Sequence, residues 1–111
     1  MHNPLTAKRF ASVLLLVPGL AVAQVPEFNL AIRDHRFVPA EIRIPANTKV
    51  RLVVANEDPT PEEFDSYALD REKVIPGRAS AVIFVGPLKA GRYPFEGEFN
   101  SATAKGAVVA E

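Results

Sequence analysis

Five side chains carry most of the coordination chemistry open to this sequence: Glu63, Asp65, Glu72, Glu98 and His35. Glu63 and Asp65 lie two apart, so in an extended strand they project to one face while Phe64 enters the other. Asp70 and Glu72 repeat that spacing. Carboxylates in such an array are hard oxygen donors, better suited to iron, manganese, calcium or magnesium than to cuprous copper. His35 adds an imidazole, the commonest nitrogen ligand and also a frequent hydrogen-bonded turn residue. A blue type 1 copper centre requires a cysteine thiolate with two histidines, usually with a weak axial methionine. The chain has no cysteine, and its one methionine and its second histidine are Met1 and His2, in the leader described below. That centre is therefore excluded on ligand count. A Cys/His nucleophilic pair is excluded too, and His35 has no spacing to a serine that signals a triad.

Each of these residues also has a plainer reading. Glu63, Asp65 and Glu98 can form an acidic solvated rim paired with Arg71, Lys73 or Arg92. Asp70 and Glu72 can pair with Arg71 and Lys73, and His35 can serve only its turn. Glu62, beside Pro61, reads as a solvated loop acid. Tyr67, Tyr93, Phe95 and Phe99 read as core residues, with Tyr67 also able to lend a phenol to an acidic pocket.

The elements that would position these groups begin after a leader. Lys8 and Arg9 precede an apolar run from Phe10 to Leu20 and then Ala21-Val22-Ala23, the pattern of a signal peptide cut before Gln24. The run is too short to cross ~30 Å of hydrocarbon as a helix. The expected organisation is a signal peptide over 1–23 and one exported domain over 24–111, periplasmic and without membrane insertion after cleavage. Loss of Lys8 and Arg9 leaves eleven basic against thirteen acidic side chains. That balance, with no Lys/Arg cluster, argues against nucleic acid as a partner. Without cysteine, a domain of this size must be held by packing alone.

Period-two alternation punctuated by turn residues predicts an antiparallel all-β domain. Phe28, Leu30 and Ile32 alternate in a first strand, and Asp34 to Phe37 turns the chain. Ile42 and Ile44, bounded by Pro39 and Pro45, mark a short edge strand. Val50, Leu52 and Val54 share one face of the clearest strand, 49–56. Residues 57–63, with two prolines, read as an exposed loop. Strands follow over 64–69, 73–75 and 80–85, the last with Val82 and Phe84 inward. Residues 92–95 form a strand with Tyr93 and Phe95 on one face, 101–105 a loop with room for one helical turn, and 106–110 the last strand. About seven strands in a domain this short point to a two-sheet Greek-key sandwich.

His35-x-Phe37-x-Pro39, Ile44-Pro45-Ala46-Asn47-Thr48-x-Val50 and Val54-x-Asn56-x-Asp58 resemble the opening half of cupredoxin-like domains. Ile75-Pro76-Gly77, Pro87-Leu88-x-x-Gly91-x-Tyr93-x-Phe95 and Gly106-x-Val108-Val109 resemble the second half. Thr60 to Ser66, Asp70 to Lys73 and Gly97-Glu98-Phe99 are similar to a periplasmic group that includes the cupredoxin domains of EfeO-type iron-uptake proteins and the cupredoxin component of ferrous-iron transport operons. The resemblance implies a cupredoxin-like β-sandwich that binds an iron or copper ion and serves a membrane iron permease or a periplasmic metalloprotein. It also implies a strand order that brings Glu63 and Asp65 toward Glu98 and Asn100. The group often carries histidine where this chain has Asn100 and Tyr67. The absence of both imidazoles leaves open a weakened metal site, a shift to iron, or a metal-free interaction module. With so few strong ligands, a stand-alone ferroxidase is not expected.

Overall fold

The computed structural model describes residues 24–111; the expected signal peptide, 1–23, lies outside the described residues. Among the described residues nine strands form: β1 (Glu27–Arg33), β2 (Arg36–Val38), β3 (Glu41–Ile44), β4 (Val50–Asn56), β5 (Glu62–Ser66), β6 (Arg71–Ile75), β7 (Ser80–Val85), β8 (Gly91–Gly97) and β9 (Lys105–Ala110), with a 3-10 turn at Glu98–Asn100. They build two sheets, ordered β2-β1-β4-β7 and β3-β9-β8-β5-β6. β1 with β4 and β3 with β9 run parallel, which corrects the purely antiparallel expectation because alternation reads burial and not strand direction, and the other pairs are antiparallel. Among the described residues no helix is long and apolar enough to cross a membrane.

Alternation decides what the sandwich buries. Val50, Leu52 and Val54 are fully buried, and the intervening residues of β4 are half-buried. From the facing sheet come Ile42 and Ile44, Phe64, Phe95 and Val108. Phe95 stands edge-on to Phe37 and tilted against Phe64, each with ring centroids 4.8 Å apart. Phe37 meets Phe64 edge-on at 6.1 Å. Such pairs contribute about 0.5–1.5 kcal/mol each beyond the area they bury. Gly106 permits the approach, because a Cβ there would lie 2.6 Å from the Phe95 ring.

Three expectations about orientation are corrected. In β7, Ile83 and Val85 are buried, while Val82 and Phe84 face outward. The run is apolar on both faces, so its own alternation could not choose. Pairing with β4 sets Ile83 opposite Leu52 and Val85 opposite Val50, and Lys49 covers Phe84 at 4.9 Å from the ring centroid. Tyr67 is fully exposed, since the chain turns at Tyr67–Asp70 and Leu69 takes the inward position. Phe99 is 52% exposed, carried outside the sandwich by the 3-10 turn.

The remaining differences lie in the connections. Only Asp34 and His35 make the first turn, and Arg36 already begins β2 against β1. Both turn residues have left-handed backbone, φ 50° and 58°. The Asp58 carboxylate holds them there, accepting the Asp34 N–H at 2.8 Å and the His35 N–H at 3.0 Å. The expected loop over 57–63 ends at Pro61, because Glu62 is already in β5. The helical turn comes at Glu98–Asn100, three residues ahead of the loop assigned to it.

Two outcomes follow for stability. Phe64→Ala opens a cavity among three rings and lowers the unfolding free energy by about 3–5 kcal/mol in urea titration. Asp58→Ala strands two turn donors and costs about 1–3 kcal/mol. The His35 N–H bond, chiefly, holds the Asp58 carboxyl below its ordinary value of 3.8. Its stabilisation is therefore complete above that pH and lost in stronger acid, so unfolding curves of wild type and Asp58→Ala converge as pH falls below about 4.

Candidate metal centre

The outer face of the five-stranded sheet gathers the acidic side chains. Glu62, Phe64 and Ser66 point into the sandwich and are buried, which leaves Glu63 and Asp65 half-buried on the outer face of β5. On one side β6 sets Glu72 directly opposite Asp65, and so on the same face. On the other side β8 pairs Gly97 with Phe64 and Glu96 with Asp65, and then enters the 3-10 turn at Glu98. One carboxylate oxygen from each of Glu63, Asp65, Glu72 and Glu98 lies within 4.8 Å of the others. Four of the five residues singled out from sequence are thus brought together.

His35 is not part of this group. Its Nδ1 lies 3.6 Å from Asp58 Oδ2 and its side chain is 47% exposed. Its carbonyl accepts the Thr103 hydroxyl at 2.6 Å. The residue belongs to the β1–β2 turn, the plainer of its two readings. Asp70 also stays apart, because it occupies a left-handed turn position before β6 begins.

Among the described residues, none of the four carboxylates has a basic partner within 4.0 Å. Arg92 is taken by Glu41 and Lys105 by Glu96. Arg71 donates from Nε to the Phe84 carbonyl at 2.9 Å and from Nη1 to the Asp70 carbonyl at 2.8 Å. Lys73 stands opposite Phe64, on the other parity of β6 from Glu72. Among the described residues, the rim of ion pairs that formed the plainer reading does not form around these acids.

The consequence falls on Glu63. A hydrogen bond with the Glu72 carboxyl, then loss of water, then the charges of Glu98, Glu72 and Asp65 raise its pKa to about 7. Two carboxyl groups that close share a proton more readily than they both ionise.

Glu62, read from sequence as a solvated loop acid, is only 1% exposed. Its Oε1 accepts the N–H groups of Glu63 and Phe99, each at 2.9 Å, and its Oε2 accepts the Asn100 amide at 2.8 Å. Gly97 leaves room for it, since a Cβ there would lie 2.6 Å from Glu62 Cδ. The signal was present in sequence, because Glu62 shares parity with Phe64 and Ser66; the two prolines before it obscured the start of the strand. An open cleft of about 600 Å³ adjoins the cluster and shares Asp65 with it; Tyr67, Pro94 and Glu96 are among its other walls.

The acidic face carries a pH signature. Between 4.5, the ordinary glutamate value, and about 7, folded Glu63 holds a proton that the unfolded chain has released. Stability without added metal therefore falls as pH rises across that window and levels off above it. Glu63→Gln removes this slope, and thermal unfolding of both proteins from pH 4.5 to 8 checks it.

The model of the Cupredoxin-like domain matches residues 9–110. An uncharacterised protein of Rickettsia prowazekii (strain Madrid E) is 42% identical over 83 residues, which cover 75% of this chain and 66% of that protein, just under two thirds of its length. The metal-binding domain of the Streptococcus pneumoniae D39 Cu(I)-exporting P-type ATPase, solved with Cu(I), aligns with TM-score 0.70 at 15% identity, covering 82% of this chain and 91% of that one. Auracyanin A, a blue copper protein of Chloroflexus aurantiacus, aligns with TM-score 0.68 at 9% identity, covering 79% and 100%. Amicyanin of Paracoccus versutus aligns with TM-score 0.61 at 14% identity, covering 84% and 87%. At these identities the likeness is one of fold. The donors of this chain do not fit a thiolate-copper centre, because there is no cysteine to supply the thiolate. By its sequence match along nearly its whole length and its two-sheet architecture, the chain belongs to the cupredoxin-like domain family.

Proposed function

We propose that this protein is an exported, periplasmic accessory protein that holds an iron or copper ion at Glu63, Asp65, Glu72 and Glu98 and passes it, or an electron, to a membrane iron permease or a periplasmic metalloprotein. The observation that carries this reading is the convergence of four carboxylates that, among the described residues, have no basic side chain paired to them. A cation relieves their mutual repulsion and displaces the proton held by Glu63. All-oxygen donors favour iron over cuprous copper. The copper-binding structural neighbour supports metal handling on this fold, with a different donor chemistry here. The carboxylates supply charge and position, and no group in the cluster supplies redox chemistry of its own.

A second reading, a metal-free interaction module, is favoured by fully exposed Tyr67 on the wall of the cleft beside Asp65. Isothermal titration with ferrous, ferric and cupric ions separates the two. The metal reading expects at least one ion to bind more tightly than roughly millimolar, about 4 kcal/mol of binding free energy. It expects Glu63→Ala with Glu98→Ala to abolish that binding, and expects affinity to weaken as pH falls below about 7, where Glu63 takes up its proton. Failure of every ion to reach that level excludes it. The interaction reading expects the double variant to leave partner capture intact.

A further inference from the structure

We propose that Glu62 is the positioning residue of the carboxylate cluster, setting the spacing between Glu63 and Glu98 through the geometry of its buried carboxylate and not through its charge. The inference rests on the reading of the cluster as a cation site. It starts from the placement of Glu98. The β5–β8 ladder ends at Phe64 with Gly97, so Glu98 lies beyond strand pairing, at the head of a three-residue 3-10 turn. That turn has no buried residue and no side-chain cap from Gly97, and Phe99 is 52% exposed. Neither apolar packing nor a local cap anchors its leading end. The orphan N–H groups that open such a turn need an acceptor, and here it comes from another strand.

Glu62 Oε1 is that acceptor, and it joins two candidate ligands through one atom. It receives the N–H of Glu63 and the N–H of Phe99, the latter belonging to the peptide that links Glu98 to Phe99. With both bonds at 2.9 Å, the two nitrogens can be no farther apart than twice that length. Oε2 takes the Asn100 amide and pins the far end of the same turn. A buried carboxylate is costly unless its oxygens are satisfied, and these three donors satisfy it. No basic side chain approaches it among the described residues. Its oxygens are committed to two backbone N–H groups and one side-chain amide, so they are already satisfied before any cation arrives.

Position and charge are separable by two substitutions of similar size. Glu62→Gln removes the charge but keeps an oxygen for both backbone donors, and the Asn100 amide can rotate to accept from the new Nε2. Glu62→Asp keeps the charge but withdraws it by one methylene, about 1.5 Å. Manganese(II) affinity, read by the loss of free-ion electron paramagnetic resonance signal, and backbone order parameters of Glu98–Asn100 without metal form the test. Glu62→Gln is expected to bind manganese within about threefold of wild type with the turn still rigid. Glu62→Asp is expected to lose at least tenfold, with order parameters falling from about 0.85 toward 0.6. The reverse ranking, equal loss in both variants with the turn ordered, or no loss in either overturns the proposal. Should wild type bind no manganese, affinity is read with whichever of ferrous, ferric or cupric ion it binds, and if it binds none of them the cation-site reading fails on its own. The positioning role is then judged on order parameters, and a turn as rigid in Glu62→Asp as in wild type rules it out.

Discussion

The burial of Phe64 is the constraint on which the rest of the molecule turns. Its ring is fully enclosed against Phe37 and Phe95 where the two sheets meet, so β5 can present only one parity to the interior. Because side chains of a strand alternate, that choice sends Glu62 and Ser66 inward and Glu63 and Asp65 outward. A shift by one residue would place two carboxylates in the core and an aromatic ring in water. The same step aligns β6 so that Glu72 rises beside Asp65. Hydrophobic packing on one face thus dictates the electrostatics of the other.

The two faces treat carboxylates in opposite ways. Inside, Glu62 is isolated from water and given three hydrogen-bond donors, which turns a costly buried charge into a tie between β5 and the turn after β8. Asp58 does comparable work at the β1–β2 turn, with two backbone donors. Outside, four acids are placed side by side with the nearby basic residues engaged elsewhere, and one of them retains a proton up to about pH 7. A surface arranged only for stability would interleave the signs, as the Arg92–Glu41 and Lys105–Glu96 pairs do on the same sheet. Local departures from stability of this kind mark positions where function has a claim.

Family membership and chemistry separate cleanly. The two-sheet frame is shared with solved neighbours, a Cu(I)-bound domain and a blue copper protein among them, at identities of 9–15%, a range in which only the fold is held in common. The chain keeps the frame without a thiolate and with its one described histidine employed in a turn. What the frame offers in exchange is a set of oxygen donors on an outer sheet face. Fold alone does not choose between these chemistries; the donors and their neighbours do.

Much of this was legible in the sequence. Alternation at 50–54 and the pairing of Tyr93 with Phe95 on one parity determined strands and their inward faces, and the absence of cysteine determined that no thiolate-copper centre can form. The two-residue spacing of Glu63 and Asp65 determined that they share a face. Tertiary structure decided the rest, because each remaining question involved a neighbour distant in the chain. β7 is apolar on both faces, and only its register against β4 turned Val82 and Phe84 outward. The turn at Tyr67–Asp70 put Tyr67 in solvent, and the Asp58 carboxylate fixed the His35 turn apart from the acidic cluster. Lys73 was lost to the acids because strand parity separates it from Glu72. Glu62 became a buried tie because β8 ends in a glycine that leaves space for its carboxylate. Alternation is a local property that residues carry with them, whereas register, distance and charge pairing exist only once separate strands lie side by side.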